Sequence, residues 1–155
     1  MMKTLIIYQS KKGMTEKLAQ KFKEEIGQAD ICGVDDEIDF TQYEAILIGT
    51  PVYVGKINKQ ISDWIAKNET LILSKHVAVF LCGMNFENES IVIESNFSVQ
   101  FRNRFPIKYV GGAYQFDKLN FFERFIVKKI TGEKTSREEI REEPFKLILN
   151  HIKNR

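Results

Sequence analysis

The sequence predicts an α/β fold in which a five-stranded parallel sheet lies between two layers of helices. Short apolar, β-branched runs alternate along the chain with segments whose apolar residues recur at helical spacing. Most of these runs are followed by a loop that contains glycine. With 155 residues, 43% of them hydrophobic, the chain can form a core, and we expect one domain over residues 1–155. Strands and helices that alternate at this spacing predict a doubly wound, three-layer architecture.

The predicted strands are five short runs, of which the second is the weakest. They cover residues 4–8, 30–34, 45–48, 76–82 and 107–110. The first run is apolar and β-branched with no polar alternation, which indicates a strand that is buried on both faces of a parallel sheet.

The predicted helices each carry one apolar face. The first follows Thr15, the expected N-cap, and ends at Gly27, the expected C-cap. A second helix follows the third strand, a looser helical stretch covers residues 90–101, and the last helix begins near Pro144. The apolar faces consist of Leu18, Ala19, Phe22 and Ile26 in the first helix, Ile57, Ile61, Trp64 and Ile65 in the second, and Phe145, Ile148, Leu149 and Ile152 in the last.

Charge and cysteine content argue against several classes of function. The formal net charge of +2 is far below the basic excess of a general nucleic-acid-binding protein, so we expect no nucleic acid partner. Cys32, Cys82, His76 and His151 do not have the spacing of a metal site, so we expect no metal. Isolated cysteines and the absence of a long apolar run predict a cytoplasmic protein without a membrane span.

The loop after the first strand combines hydroxyls, lysines and a glycine next to a helix N-terminus. Its sequence is Ser10-Lys11-Lys12-Gly13-Met14-Thr15. Backbone N–H groups and hydroxyls at such a position bind phosphate, but the same residues also suit a plain turn with a helix cap, and both interpretations stay open. The loop matches neither of the glycine-rich motifs for pyrophosphate or triphosphate, so a single phosphate is the better hypothesis.

Two further loops are expected to lie near this one. In an open parallel sheet, ligands bind beyond the carboxyl ends of the strands. Loops 10–15, 50–56 and 83–88 follow the first, third and fourth strands, and we expect them to converge. A flat aromatic ligand fits between the second and third of these loops.

These residues resemble the flavodoxin-like family. The 10–15 loop is similar to the family's phosphate-binding motif, (S/T)-x-(S/T)-G-x-T, with Lys12 in place of the second hydroxyl residue, and Gly49-Thr50-Pro51-Val52-Tyr53 is similar to its flavin-flanking segment. The resemblance implies FMN as the cofactor. It assigns the phosphate to Ser10, Lys11, Lys12, Gly13, Met14 and Thr15. It assigns the isoalloxazine ring to Thr50, Pro51, Val52, Tyr53, Val54 and Gly55 on one side and to Cys82, Gly83, Met84, Asn85 and Phe86 on the other.

The last third of the chain resembles a narrower group, the flavodoxin-type, menaquinone-dependent protoporphyrinogen IX dehydrogenases of haem biosynthesis. The similar segments are residues 111–116, 121–130 and 132–139, whereas residues 85–106 are shorter and less basic than the insertion of those enzymes. This resemblance implies an oxidoreductase that oxidises protoporphyrinogen IX or a related reduced substrate and passes the electrons to a quinone.

The segment 121–130 is both aromatic and basic. As a helix it is modestly amphipathic, and such a helix rests on anionic lipid or binds a porphyrin carboxylate. Its candidate contact residues for substrate or for the inner face of the membrane are Arg124, Phe125, Lys128 and Lys129. The alternative is an additional helix that only covers the sheet.

Two other functions stay open. The first is a small FMN electron carrier that serves redox protein partners and has no organic substrate of its own. Such carriers are usually strongly acidic, so a charge of +2 counts against this alternative. The second is an interaction module that keeps the fold without flavin.

Overall fold

The computed structural model describes residues 3–10, 13–114 and 137–154. Its strands are β1 (Lys3–Tyr8), β2 (Ala29–Cys32), β3 (Tyr43–Tyr53), β4 (Lys56–Ile57), β5 (His76–Cys82), β6 (Ile107–Tyr114) and β7 (Arg137–Ile140). Its helices are α1 (Met14–Ile26), α2 (Lys59–Lys67), α3 (Glu69–Leu73), α4 (Glu89–Asn96), α5 (Val99–Arg104) and α6 (Glu142–Lys153), with 3-10 turns at Phe40–Gln42 and Phe86–Asn88.

The sheet has the order β2-β1-β3-β5-β6-β7. All pairs from β2 to β6 are parallel, which confirms the predicted five-stranded parallel sheet. Two strands were not predicted. β7 is antiparallel to β6, and β4 pairs only with the end of β3. The sequence pattern misses both because β4 has two residues and β7 is Arg-Glu-Glu-Ile, which lacks an apolar run.

Each face of the sheet buries its own core, which explains the continuous apolar runs. Leu5 and Ile7 of β1 pack on one face, under α2, α3, α4 and α5, while Ile6 packs on the other with side chains of α1 and α6. Both faces of the central strands are therefore buried, and these strands are predominantly apolar.

The helix boundaries differ from the sequence prediction at three places. The N-cap of α1 is Gly13, and the prediction of Thr15 at this position is wrong, because Thr15 lies inside the first helical turn. Ile57 belongs to β4, and Asn58 caps α2 by accepting the N–H groups of Gln60 and Ile61. The stretch 90–101 is divided between α4 and α5, the second of which begins after a new cap, Ser98.

One strand edge is closed by side chains. Among the described residues, β7 pairs with β6 only from Gly111 onward. Next to this pairing, a carboxylate oxygen of Glu89 accepts the N–H of Tyr109, and the guanidinium of Arg141 donates to the carbonyl of Tyr109. These two bonds satisfy backbone groups that a neighbouring strand would otherwise pair. Within the described part of the chain, no helix has the length and apolar character needed to cross a bilayer.

Candidate functional site

Three loops meet at the carboxyl ends of β1, β3 and β5. The N–H of Gln9 donates to the carbonyl of Gly49 over 3.3 Å, and Pro51 pairs with Cys82 in the parallel register of β3 and β5. A hydrogen bond joins the Thr15 hydroxyl to the Cys82 thiol. Loop 10–15, the end of β3 and the loop that starts at Gly83 therefore line one edge of the sheet, as the topology predicts.

The 10–15 loop contains two backbone donors that no described residue accepts. The Ser10 Oγ accepts the N–H of Gly13 over 3.0 Å and that of Glu16 over 3.4 Å. Gly13 has a φ of +96°, a left-handed conformation that strains any residue with a Cβ. Among the described residues, the N–H groups of Met14 and Thr15 have no acceptor, although both residues are at most 4% exposed.

Buried donors at the start of a helix attract an anion. They are the groups that the helix itself cannot satisfy, and the helix dipole adds positive potential at the same point. A phosphate that accepts from Met14 and Thr15 removes the penalty of leaving them unpaired. Lys11 and Lys12, the predicted charged members of this loop, lie outside the described residues.

Cys82 lies below this loop rather than in open contact with solvent. Its side chain packs in the core on the α1 side, and burial raises the pKa of the thiol to about 11, although the Thr15 hydroxyl acts in the opposite direction. The thiol is therefore protonated and unreactive at neutral pH.

The second loop is a β-hairpin of residues 50–57, the 50–57 hairpin, in which the end of β3 returns as β4. Its base is fixed by the fully buried Thr50, whose Oγ1 accepts the N–H of Asn58 and donates to the carbonyl of Pro51, both over 3.0 Å. At its tip Val54 and Gly55 have φ values of +50° and +75°. Positive φ at both turn residues defines the type I′ hairpin, and valine is strained there.

The tip of the hairpin is apolar and exposed. Tyr53 is 44% exposed and Val54 is 77% exposed. An exposed aromatic residue beside a strained turn is the kind of surface on which a flat ring stacks.

Asn96, at the end of α4, holds the outer side of the 50–57 hairpin. Its Oδ1 accepts the N–H of Ile57 over 3.1 Å, and its Nδ2 donates to the carbonyl of Gly55 over 2.9 Å. The same Nδ2 also donates to the carbonyl of Val92 over 2.7 Å. Sequence reasoning missed this residue, since a single asparagine inside a helical stretch forms no motif.

The third loop is held by β6. The N–H of Gly83 donates to the carbonyl of Gly111 over 2.9 Å. The Phe86 ring packs edge-on against Tyr109, with 5.8 Å between the ring centroids, and the guanidinium of Arg141 lies 4.4 Å from its centroid. Phe86 thus contacts two protein groups and is half-buried, as is Met84, while Asn85 is exposed.

Tyr8 is a second site residue that the sequence did not indicate. It ends β1 next to Gly49, and its hydroxyl bonds to Glu16 in the first turn of α1. Burial, followed by the charge of Glu16 and the hydrogen bond to it, raises the pKa of this phenol, so that Tyr8 remains a neutral donor.

The predicted contact residues Arg124, Phe125, Lys128 and Lys129 lie outside the described residues. The ends of their segment are described. Tyr114 of β6 pairs with Arg137 of β7, and Glu138 of β7 forms a 2.5 Å ion pair with Lys17 of α1. The chain therefore leaves and rejoins the sheet beside the helix that follows the 10–15 loop. Within the described ranges, no cluster of three or more His, Cys, Asp or Glu residues is suited to a metal ion.

Comparisons with known proteins identify a family. A model of the flavodoxin domain matches residues 5–140. A search of curated proteins found no match.

Solved structures share the fold at low sequence identity. A flavoprotein in complex with FMN from Lactobacillus acidophilus is 23% identical, with a TM-score of 0.53 over 72% of this chain and 92% of that chain. A flavodoxin from the domain Archaea is 13% identical, with a TM-score of 0.55 over 99% of this chain and 98% of that chain. A Fusobacterium nucleatum flavodoxin bound to flavin mononucleotide is 14% identical, with a TM-score of 0.51 over 72% and 71% of the two chains.

Proposed function

The chain belongs to the flavodoxin family, and from this membership we propose that it binds FMN at the carboxyl edge of its sheet and transfers electrons through it. The observation that carries the proposal is the pair of buried N–H groups of Met14 and Thr15, which have no acceptor in the part of the chain that the structure describes. Backbone donors at a helix N-terminus are the kind of group that binds a terminal phosphate. Similar folds with bound FMN, from Lactobacillus acidophilus and Fusobacterium nucleatum, are consistent with this ligand.

We propose that the flavin ring stacks on the hairpin side of the site. Tyr53 is the aromatic residue that the 50–57 hairpin exposes, whereas the half-buried Phe86 already contacts Tyr109 and Arg141. The remaining predicted ring contacts supply backbone groups and shape: Thr50, Pro51, Val52, Val54, Gly55, Cys82, Gly83, Met84 and Asn85.

The protein's own contribution is binding and orientation. Bound FMN supplies the capacity to take up and release electrons. The 10–15 loop would hold the phosphate, and the 50–57 hairpin would orient the ring and exclude water from one of its faces. The Ser10 Oγ accepts the N–H groups of Gly13 and Glu16 and so holds the start of the loop against the first turn of α1.

Titration with FMN and with riboflavin tests this proposal. Riboflavin has the same ring and lacks the phosphate, so it isolates the contribution of the 10–15 loop. We expect FMN to bind at least about tenfold more tightly, which corresponds to about 1.4 kcal/mol. Calorimetry that detects no FMN binding, or equal affinity for both ligands, contradicts the proposal.

For the substrate, we propose oxidation of protoporphyrinogen IX or a related porphyrinogen, with a quinone as acceptor. Conversion to the porphyrin takes three two-electron rounds, each of which passes two electrons and two protons to one quinone. Two features support this: the sequence similarity of residues 111–116, 121–130 and 132–139, and the position of Tyr114 and Arg137 beside α1. Arg124, Lys128 and Lys129 would pair with the propionate carboxylates or with anionic lipid at the membrane face.

An anaerobic assay decides this finer proposal. The FMN-loaded protein is mixed with protoporphyrinogen and a menaquinone analogue, and porphyrin fluorescence is followed against a control with free FMN. We expect the rate to exceed that control and to fall in the Arg124→Ala and Lys128→Ala variants, but not in Lys67→Ala, a matched change of an exposed base on α2. A rate equal to that of free FMN contradicts the substrate assignment.

The second candidate function is that of an electron carrier between redox proteins. The observation in its favour is the likeness to the archaeal flavodoxin, which extends over nearly the whole of both chains. A carrier of single electrons gives two well-separated one-electron waves in a redox titration. The porphyrinogen proposal predicts a single two-electron wave.

A further inference from the structure

The side chain of Tyr109 is buried, and its hydroxyl has no partner. Tyr109 lies in β6 and is 1% exposed. Its backbone is satisfied, because a carboxylate oxygen of Glu89 accepts its N–H and the guanidinium of Arg141 donates to its carbonyl. The hydroxyl, in contrast, makes no hydrogen bond to any of the described residues. Because buried polar groups are nearly always hydrogen-bonded in proteins, this hydroxyl points to a partner from outside the chain.

The phenol of Tyr109 runs along the sheet toward its carboxyl edge. In the parallel register of β5 and β6, the backbone of Tyr109 is paired with Leu81. Its ring extends further, to Gly83, since a Cβ placed on Gly83 would lie 3.0 Å from the Cε1 of Tyr109 and 3.8 Å from its Cζ, the carbon that bears the hydroxyl. The same point lies 3.7 Å from the carbonyl oxygen of Val52. The hydroxyl end therefore lies where the third loop begins and beside the 50–57 hairpin, at the boundary between these two loops.

The other buried tyrosine of the described residues is treated differently. Tyr43, which begins β3 at the opposite edge of the sheet, is 7% exposed, and its hydroxyl donates to a carboxylate oxygen of Asp30 over 2.7 Å. The chain thus supplies a partner for the buried phenol that is far from the candidate site and supplies none for the phenol that points to it. Burial, followed by the charge of Glu89, raises the pKa of Tyr109 to about 12, so its hydroxyl is a donor at neutral pH.

We propose that Tyr109 is a ligand-binding residue, whose hydroxyl donates a hydrogen bond to an acceptor atom of the flavin ring as the ring enters between the 50–57 hairpin and the third loop. The inference rests on the proposed function. The ring has carbonyl oxygens and unprotonated nitrogens that accept such a bond. The same hydroxyl then has two opposite effects: it lowers the stability of the free protein, where it is unsatisfied, and it raises the affinity for the ligand.

Tyr109→Phe removes the hydroxyl and keeps the buried ring. In the protein without FMN, we expect the midpoint of urea unfolding to rise by about 0.5 M, because the variant no longer buries an unsatisfied donor. We expect FMN to bind about tenfold more weakly in a calorimetric titration, because the ring loses its donor. A hydroxyl that only supports the fold cannot give this pair of results, since its removal lowers the unfolding midpoint.

Tyr43→Phe is the matched control, the same change in a buried tyrosine that has a partner. It removes the hydrogen bond to Asp30, so we expect the urea midpoint to fall by about 0.5 M. The FMN affinity of the folded protein should stay the same, because Tyr43 and the candidate site lie at opposite edges of the sheet.

Lumiflavin tests whether the hydroxyl bonds the ring. It has the isoalloxazine ring but neither the ribityl chain nor the phosphate, so we expect Tyr109→Phe to weaken lumiflavin and FMN by the same factor. A loss for FMN alone overturns the proposal, because the bond would then be to the ribityl phosphate part. A urea midpoint that falls in Tyr109→Phe as it does in Tyr43→Phe also overturns it, because the hydroxyl would then have a partner in the free protein, such as a bound water.

The wild-type titration separates a failure of this inference from a failure of the proposed function. If the wild type binds no FMN, the proposed function fails and the inference fails with it. If the wild type binds FMN and Tyr109→Phe binds it equally well, the proposed function stands and only the role of Tyr109 is refuted.

Discussion

The 10–15 loop and the 50–57 hairpin lie at the same edge of the sheet but are built in opposite ways. In the loop, buried N–H groups at Met14 and Thr15 are left without an acceptor among the described residues. In the hairpin, the polar groups at the base and the outer edge are paired with Thr50 and Asn96. The loop therefore has donors that an anion can satisfy, whereas the polar groups of the hairpin are satisfied by side chains of the protein. One region gains its function from the ligand, and the other supplies a preformed surface.

The largest effect is expected from opening the base of the hairpin. Thr50→Val keeps the shape of the side chain but leaves the N–H of Asn58 without its acceptor. Because an unsatisfied group in a buried position costs about 1–3 kcal/mol, we expect urea unfolding to report a loss of about 2 kcal/mol. Thr41→Val, which removes an exposed hydroxyl bonded to Asp39, should change stability by less than about 0.5 kcal/mol. Equal losses of unfolding free energy in the two variants would show that the hydrogen bonds of Thr50 do not stabilise the base of the hairpin.

A change in the open loop should act on the ligand more than on the fold. Ser10→Ala removes the acceptor that holds the N–H groups of Gly13 and Glu16. We expect FMN to bind about tenfold more weakly, about 1.4 kcal/mol, while riboflavin affinity stays the same, because riboflavin has no phosphate. Paired calorimetric titrations measure both constants. A parallel loss for riboflavin would mean that Ser10 acts on the whole site.

The strained tip of the hairpin offers a smaller and opposite effect. Val54→Asn places a residue that tolerates positive φ before Gly55, the preferred pair for a type I′ turn. We expect the free energy of unfolding to rise by about 1 kcal/mol, since a left-handed residue with a branched Cβ costs about 1–2 kcal/mol. Val99→Asn, at an exposed helical position of α5, is the control and should give no gain. If FMN affinity falls in Val54→Asn while stability rises, the strain serves the ligand.

The smallest effect on stability should come from the protonation of a histidine at the other end of the sheet. The rings of His151 and His76 stack 4.1 Å apart, and burial, followed by the charge of His76, holds the pKa of His151 below 6.5. The unfolded chain therefore takes up the proton first, so the stabilising contribution is complete above pH 6.5 and is lost as pH falls through the lower pKa of the folded state.

Urea unfolding as a function of pH measures this contribution. His151→Gln, whose amide can still donate to the carbonyl of Val77, should lose less stability than the wild type below pH 6.5. The FMN affinity of the folded protein should not follow this titration, because His76 begins β5 and the candidate site lies where β5 ends. A loss of stability that is as large in the variant as in the wild type would assign it to other groups.

The sequence predicts the central fold because the physical signal is strong there. A strand buried on both faces is predominantly apolar, and the runs around Ile6, Leu47 and Phe80 show this pattern directly. The sequence signal is weak where a strand depends on pairing with a neighbouring strand. β7 is polar and is defined by pairing with β6, and β4 exists because the Val54–Gly55 turn returns the chain to β3.

The candidate site divides in the same way. Ser10 and Gly13 can be recognised from the sequence because a hydroxyl residue and a glycine just before a helix indicate a turn at its N-terminus. Asn96 is separated from Gly55 by 41 residues, and Arg141 reaches Phe86 from beyond β7. Long-range hydrogen bonds and ring contacts of this kind follow from the packed structure and leave no local motif in the sequence. For the same reason the sequence did not predict that Thr15, expected at the helix cap, is buried and bonded to the Cys82 thiol.

The antiparallel pairing of β6 and β7 has a consequence for how this protein can vary. Tyr114 pairs with Arg137 in the register of β6 and β7, so the sheet itself brings together the two ends of the segment between them. Loop-closure entropy grows only slowly with length. A segment of another length or sequence can therefore join Tyr114 to Arg137 while the sheet stays intact, and a designer can graft a new recognition element at this junction.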